Sequence, residues 1–505
     1  MAQLGVPHVR VAIVGSGFAG IGVAISLKRD GIDDFVILER AKDVGGTWRD
    51  NSYPGCACDV ESQLYSFSFA QNPTWTRSFA PHHEIYAYLR RVSDDYGIRK
   101  HVRFDHNLTH SRWDDRQQRW QIETSSGPYT ADILVGAMGP LSDPKLPNIP
   151  GLSRFKGKLF HSAQWDHDYD LTGRKVAVIG TGASAIQFVP AIQPKVGSLV
   201  LFQRTPAWVV PRVDRGISRA EQGLYKLFPV AQRAMRALTF LRRESYIAAF
   251  RRPAVMRAVQ KLAVQHLNHQ IQDPTLRAKL TPNFTLGCKR LLLSNTYYPA
   301  LAQPNVNVVT ESVTEVRDHS VVTADGVEHV VDTIILGTGF QVTDMPFATY
   351  VHDSAGKSLA DHWDGSPQAH LGTMVAGFPN LFLMLGPNTG LGHTSIVLMA
   401  ESQMTLVINA IRALNKTGSA SIEPSVTAQV RFNAEIQKRL APTVWNQGGC
   451  ASWYLDKNGR NSTLWPDSTP AFRRATATLQ LNDYVLTEKR EQSVSGIRDI
   501  KRSAA

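Results

Sequence analysis

Short apolar runs that end at glycine recur along the chain, and the first two are each followed by a helical pattern and a second apolar run. Residues 9–14 (Val-Arg-Val-Ala-Ile-Val) read as a buried strand, residues 18–28 as a helix and residues 35–38 as a further strand. The same order returns at 175–179, 185–192 and 198–202. Later runs ending in glycine lie at 131–139, 332–339 and 380–386, and the last of these opens a helical pattern over 394–414. Between 215 and 280 the pattern changes, with Leu, Phe, Ala and Val at helical spacing among lysines and arginines, and two or three amphipathic helices are predicted there. Strands alternating with helices predict an α/β fold built on parallel sheets. The polar stretch after Glu488 reads as a disordered tail.

The turns sharpen that prediction. After the first strand comes Gly15-Ser-Gly17-Phe18-Ala-Gly20, and the second strand ends at Glu39. In such a unit the first glycine makes the tight turn, the second lets a pyrophosphate approach the backbone, and the third lets helix and strand pack closely. An acid at the end of the second strand accepts hydrogen bonds from a ribose diol. The second unit reads Gly180-Thr-Gly182-Ala-Ser184-Ala185, and its second strand ends in Gln203-Arg204-Thr205. An acid there would repel a ribose 2′-phosphate, whereas Arg204 pairs with it and Thr205 offers a hydroxyl. The first unit therefore suits FAD and the second NADPH. Together they predict two dinucleotide-binding (Rossmann-like) domains, the FAD domain discontinuous (residues 1–145 and 377–505). The NADPH domain between its halves (146–376) carries the helical insertion at about 215–280.

Composition adds a compartment and a charge. Four cysteines in 505 residues are too few for a disulfide framework, and Cys56 and Cys58 are too closely spaced for a Cys-x-x-Cys pair. No metal site is expected, and a reducing cytoplasm fits this usage best. No run of about 18–20 apolar residues predicts a membrane span, and the N-terminus shows no cleavable leader. The net charge is +12, and residues 215–280 carry 13 Lys or Arg against 3 Asp or Glu. That excess suits a solvated helical face, guidance of anionic NADPH, or weak peripheral contact with an anionic membrane. No nucleic-acid motif accompanies it, so nucleic acid is not an expected partner.

Three further strings carry a resemblance. Residues 155–166 read Phe155-Lys-Gly157-Lys-Leu-Phe-His161-Ser-Ala-Gln-Trp165-Asp166. Upstream stand Gly45-Gly46-Thr47-Trp48, Tyr53-Pro-Gly55 and Asp59; downstream stands Gly287-Cys-Lys289-Arg290. These strings resemble the fingerprints of the flavin-dependent Baeyer–Villiger monooxygenases, from Val11 to about Pro466 and in the family's order. The resemblance implies conversion of a ketone to an ester or lactone with O2 and NADPH, through a C4a-peroxide of the flavin. It places Gly46, Thr47, Trp48, Tyr53 and Asp59 along the flavin and Arg290 over it, with Lys289 serving NADPH. It gives Asp59 the task of holding the arginine. A guanidinium suits the site because it is always charged and steadies the negative oxygens of the peroxide and the tetrahedral adduct. The string Phe155, Gly157, His161, Trp165 and Asp166 is implied to couple the domains rather than to transfer oxygen. Asn388 and Leu391 are expected beside the flavin, and Trp453 and Tyr454 at the substrate. The C-terminal stretches resemble a branch that includes oxidisers of aryl and long-chain ketones. Rival readings are a flavin monooxygenase acting on sulfur or nitrogen, and a non-catalytic flavin protein of the membrane surface. Sulfur and nitrogen oxidisers tend to carry Tyr where this chain has Trp165-Asp166.

Overall fold

The computed structural model describes residues 5–490. The tail predicted after Glu488 lies, beyond its first residues, outside the described residues.

Two sheets organise the chain. In the first, β1 (His8–Val14) leads through α1 (Phe18–Arg29) to β2 (Phe35–Leu38), which pairs with β1 in parallel. The short α2 (Thr47–Asp50) and the longer α3 (His82–Asp95) then lead to β3 (Val102–Arg103) at the sheet edge. The hairpin strands β4 (Leu108–Asp114) and β5 (Arg119–Thr124) continue into the long β6 (Gly127–Gly136). β6 pairs with β1 from Thr130 to Gly136, with β5 over its first half, and with the strand Leu381–Leu383 at its end. The chain thus returns to its first sheet after a long excursion. Val11, Ala12 and Ile13 are fully buried, because helices cover one face and β4, β5 and their neighbours the other.

The second sheet is parallel throughout. β7 (Lys158–His161), β8 (Lys175–Ile179) and β9 (Ser198–Phe202) lie with Val306–Val309 and Thr333–Leu336 in the order 306–309, β9, β8, 333–336, β7. The helix α4 (Ala185–Ile192) connects β8 to β9.

The domain limits differ from the prediction at one place. Residues 347–376, assigned by sequence to the second domain, belong to the first. Val351–His352 pairs with β4, and Phe347, Val351, Leu359, Trp363 and Val375 share a core with Trp113 and Trp120. A two-residue strand and a five-residue helix give too little periodicity to be read from sequence.

The insertion holds five helices rather than two or three: α5 (Arg219–Leu227), α6 (Pro229–Ser245), α7 (Ile247–Phe250), α8 (Pro253–Gln270) and α9 (Pro274–Leu280). Pro229, Pro253 and Pro274 each stand in the first turn, where their fixed φ and missing N–H cost nothing. Another departure is the disulfide between Cys288 and Cys450, residues 162 apart in sequence. It ties the Gly-x-Lys-Arg segment to the C-terminal loop. The helix Ile396–Thr417 is long and apolar enough to cross a membrane by length and composition. It packs on α1 inside the first domain, with Val407, Ala410 and Ile411 wholly buried.

Candidate active site

A cavity of about 1450 Å3 runs from the glycine turn after β1 to the glycine turn after β8. Its first arm is made by Gly15, Gly17 and Phe18. A Cβ on Gly15 would stand 2.7 Å from the carbonyl of Ala137, and Gly15 has φ +100°, so this turn requires glycine. Gly20 lies behind the cavity and lets α1 close onto that turn: a Cβ there would meet the Gly15 carbonyl at 1.9 Å. The N-terminus of α1 begins at Gly17 with no side-chain cap and no acid in its first turn. This is a fit for an anionic pyrophosphate. Glu39 ends β2 and lines the cavity as expected, but its carboxylate also organises the turn. Oε2 accepts from the Ser16 amide and hydroxyl (3.0 and 2.6 Å), and Oε1 accepts from Ala41 and pairs with Arg49. Gly46, Thr47 and Trp48 line the same arm, with the Trp48 indole donating to Tyr65 Oη at 3.1 Å.

The second arm holds Gly180, Gly182, Ser184, Arg204 and Thr205. A Cβ on Gly180 would meet the Gly337 carbonyl at 2.3 Å, so the sharp turn after β8 is again glycine's. Ser184 begins α4 without capping it, which leaves that end open to an anion. Arg204 is exposed at the end of β9, and Lys289 reaches the cavity from the other side. Burial, and then the like charge of Arg204, push the Lys289 ammonium below its usual range. Two cations facing one space fit a 2′-phosphate between them.

Between the arms sit Asp59 and Arg290. Arg290 donates through Nε to Asp59 Oδ2 at 2.7 Å and through Nη2 to Oδ1 at 2.8 Å, a bidentate fork. Burial alone would raise the Asp59 carboxyl, but Arg290 outweighs it and holds the group below the ordinary carboxylate range. Asp59 in turn keeps the guanidinium charged at any working pH. Tyr454, fully buried against Arg290, has its phenol pushed up to about 12 by burial, with the guanidinium acting against the shift. It backs the arginine and does not line the cavity. Trp453 does line it and is partly exposed to solvent, and Leu391 lines it from a buried position.

Two residues missed in the sequence hold this pair from behind. Arg243 of α6 donates to Glu61 Oε2 at 2.7 Å and to the Asp59 carbonyl at 3.1 Å, and Arg242 also pairs with Glu61. The insertion is therefore part of the site's frame. Helical periodicity points the other way: Arg243 falls on the face opposite the apolar positions of α6, which an amphipathic surface helix would turn to solvent.

One residue expected beside the flavin serves elsewhere. Asn388 is buried beside the cavity, not in it. Its amide donates to the carbonyls of Asn461 and Leu464 (2.8 and 3.0 Å), pinning the loop in which Leu391 stands. Tyr53 lines the cavity and donates to Gln187 of α4 at 3.1 Å, and Gln187 also donates to the Ala57 carbonyl. The flavin-side loop is thereby stitched to the second domain. The string from Phe155 to Asp166 lies outside the cavity. Phe155 packs in the second domain's core, and a Cβ on Gly157 would meet the Asp332 carbonyl at 2.3 Å. His161 is buried, accepts from the Ala163 amide at 3.1 Å, and is held below its usual pKa by burial. Trp165 wedges between Phe160 and Phe188, and Asp166 pairs with Lys158. No His, Cys, Asp or Glu cluster among the described residues has the make-up of a metal site.

A family model described as flavin-binding monooxygenase-like matches residues 8–359. A Baeyer–Villiger monooxygenase of Streptomyces coelicolor is 55% identical over 479 residues, covering 94% of this chain and 92% of the relative. One from Pseudomonas aeruginosa is 48% identical over 483 residues, covering 95% and 92%. Among solved structures, a steroid monooxygenase bound to NADP has a TM-score of 0.85 at 28% identity, covering 95% of this chain and all of that one. A cyclohexanone monooxygenase from Rhodococcus sp. Phi1 bound to NADP+ has a TM-score of 0.86 at 27% identity, covering 96% and 100%.

Proposed function

The chain belongs to the flavin-binding monooxygenase-like family and is an FAD- and NADPH-dependent monooxygenase of Baeyer–Villiger type, and on that premise we propose how its residues divide the work. FAD, reduced by NADPH, supplies the two-electron activation of O2. One oxygen atom enters the bond beside the ketone carbonyl, giving an ester or lactone, and the other leaves as water.

Arg290 is the cation of the reaction. Two of its five N–H groups are committed to Asp59, which leaves three to meet negative charge on the reacting oxygens. Asp59 fixes the plane of the guanidinium, and Arg243 fixes Asp59 through its carbonyl. Arg204 and Lys289 read the 2′-phosphate. The wall formed by Leu391, Ile396, Trp453 and Leu455 supports ketones with apolar flanks.

The observation that carries this reading is the Asp59–Arg290 fork on the wall shared by both nucleotide arms. The test is NADPH consumption by the flavin-loaded protein with cyclic, aryl and linear ketones, with products identified after reaction under isotopically labelled O2. One labelled oxygen in an ester is expected. Oxidation of sulfides or amines with no ester from any ketone would overturn the ketone assignment.

A further inference from the structure

Helix α6 is inside out. Gln232, Arg236, Thr239 and Arg243 share one face and turn it toward the protein. Gln232 donates to Gln63 Oε1 and the Asn72 carbonyl (2.8 and 2.7 Å). Arg236 donates to the carbonyls of Gln63 and Leu64 (2.8 and 3.1 Å), and Arg243 to Glu61 and Asp59. The opposite face carries Val230, Ala234, Ala237, Leu238 and Leu241, within an arc of about 100°. It faces outward: Val230 is 72% exposed, Leu238 62% and Leu241 64%. An amphipathic helix at a water-facing surface has the reverse arrangement.

The feature extends beyond one helix. Of the 21 large apolar side chains exposed among the described residues, ten fall between Leu224 and Leu262. They include Leu227 and Phe228 at the α5–α6 turn and Val255, Val259 and Leu262 on α8. So dense a cluster needs a covering surface rather than the ordinary scatter of exposed side chains.

Charge identifies the surface. From Gln222 to Gln270 seven Lys or Arg are exposed, Arg236 and Arg243 being turned inward, and the one acid, Glu244, points inward onto the Thr469 amide. Arg233 and Arg242 flank the apolar arc of α6, and on α8 the exposed Arg257 and Lys261 stand about 100–160° around the helix from Val255, Val259 and Leu262. A symmetric dimer through this face would set the same cations against each other with no acid to answer them. Anionic lipid headgroups answer them, and the apolar arc then enters the boundary beneath. We propose that α6, the Leu227–Phe228 turn and α8 form a peripheral docking surface for an anionic lipid bilayer.

The test uses the flavin-loaded protein and sedimentation with vesicles of phosphatidylcholine, with and without about one quarter phosphatidylglycerol, at about 50 mM and 500 mM NaCl. Binding is expected only to the anionic vesicles and only at low salt. The triple variant Phe228→Ser/Leu238→Gln/Leu241→Gln should bind at least about tenfold more weakly, since three apolar side chains leave the boundary. Arg233→Glu should weaken it by a similar factor. Both should keep normal flavin content. A second measurement does not depend on those variants folding: Leu241→Cys carrying an environment-sensitive dye should shift to the blue with anionic vesicles. Its labelling is selective because Cys56 and Cys58 are buried. No vesicle binding at low salt, or no dye shift, overturns the proposal. So does binding that the triple variant retains. A dimer that the triple variant converts to monomer, with no lipid binding, overturns it and gives the face to a second copy of the chain.

Discussion

Replacing Arg290 by alanine should separate the two halves of the catalytic cycle. The fork to Asp59 uses Nε and one N–H of Nη2, so three N–H groups remain for the reacting oxygens. Losing one well-placed donor of this kind costs about 3–4 kcal/mol in the barrier, or two to three powers of ten in rate. The alanine variant removes all of them and also leaves Asp59 unpaired beside developing negative charge, so the loss should reach at least that range. FAD binding and its reduction by NADPH depend on other residues and should survive. The assay runs the halves apart: anaerobic reduction followed by stopped flow, then aerobic turnover with ester and hydrogen peroxide measured together. Reduction within about tenfold of normal is expected, with the electrons leaving as peroxide and ester falling at least a hundredfold. Arg290→Lys keeps the charge but loses the fork and should fall between. An alanine variant whose ester yield stays within about threefold of normal would refute the role given to Arg290.

Other outcomes follow from the same geometry. Asp59→Asn should leave the arginine charged but free to turn, lowering ester yield less than Arg290→Ala and raising peroxide release. Arg243→Met should act on the same ratio at a distance, because Glu61 keeps only the exposed Arg242 and the Asp59 carbonyl loses its donor; unchanged coupling and unchanged flavin retention would remove it from the frame. Arg204→Ala should raise KM for NADPH by about ten- to a hundredfold and leave NADH nearly unaffected, the difference being one charge-assisted contact; equal effects on both would show that it does not read the phosphate. Because burial and Arg204 lower the Lys289 pKa, a bound 2′-phosphate should favour its protonated form. NADP+ affinity should therefore fall as pH rises through that lowered value, and Lys289→Met should flatten this step in a titration by calorimetry.

Much of this site is legible in sequence because its parts are local. Each strand–glycine turn–helix unit fits within a few dozen residues, and the end of its second strand, Glu39 or Arg204, states its cofactor. What failed depended on distance or on direction. Cys288 and Cys450 are too far apart in sequence for their spacing to carry a signal. Asn388 lies in the expected turn, but its side chain points to the carbonyls of Asn461 and Leu464. The insertion's arginines looked like one basic surface because composition averages over a helix. Arg236 and Arg243 face inward while Arg233 and Arg242 face outward, and only the angle around α6 separates them.

The split of the first sheet sets an order of events during synthesis. Until Leu381–Leu383 has been made, the second half of β6 has an unfilled edge, from Leu134 to Gly136. The five-stranded parallel sheet, by contrast, draws all its strands from residues 158–336 and can close on its own. The nascent chain therefore carries a finished inner domain hung from an unfinished outer one, with an apolar strand edge open to wrong partners. FAD bound to the glycine turn after β1 would favour the closed form only once the C-terminal segment arrives. Flavin loading should accordingly follow completion of the chain, and flavin shortage in the producing cell should yield aggregates rather than soluble apoprotein.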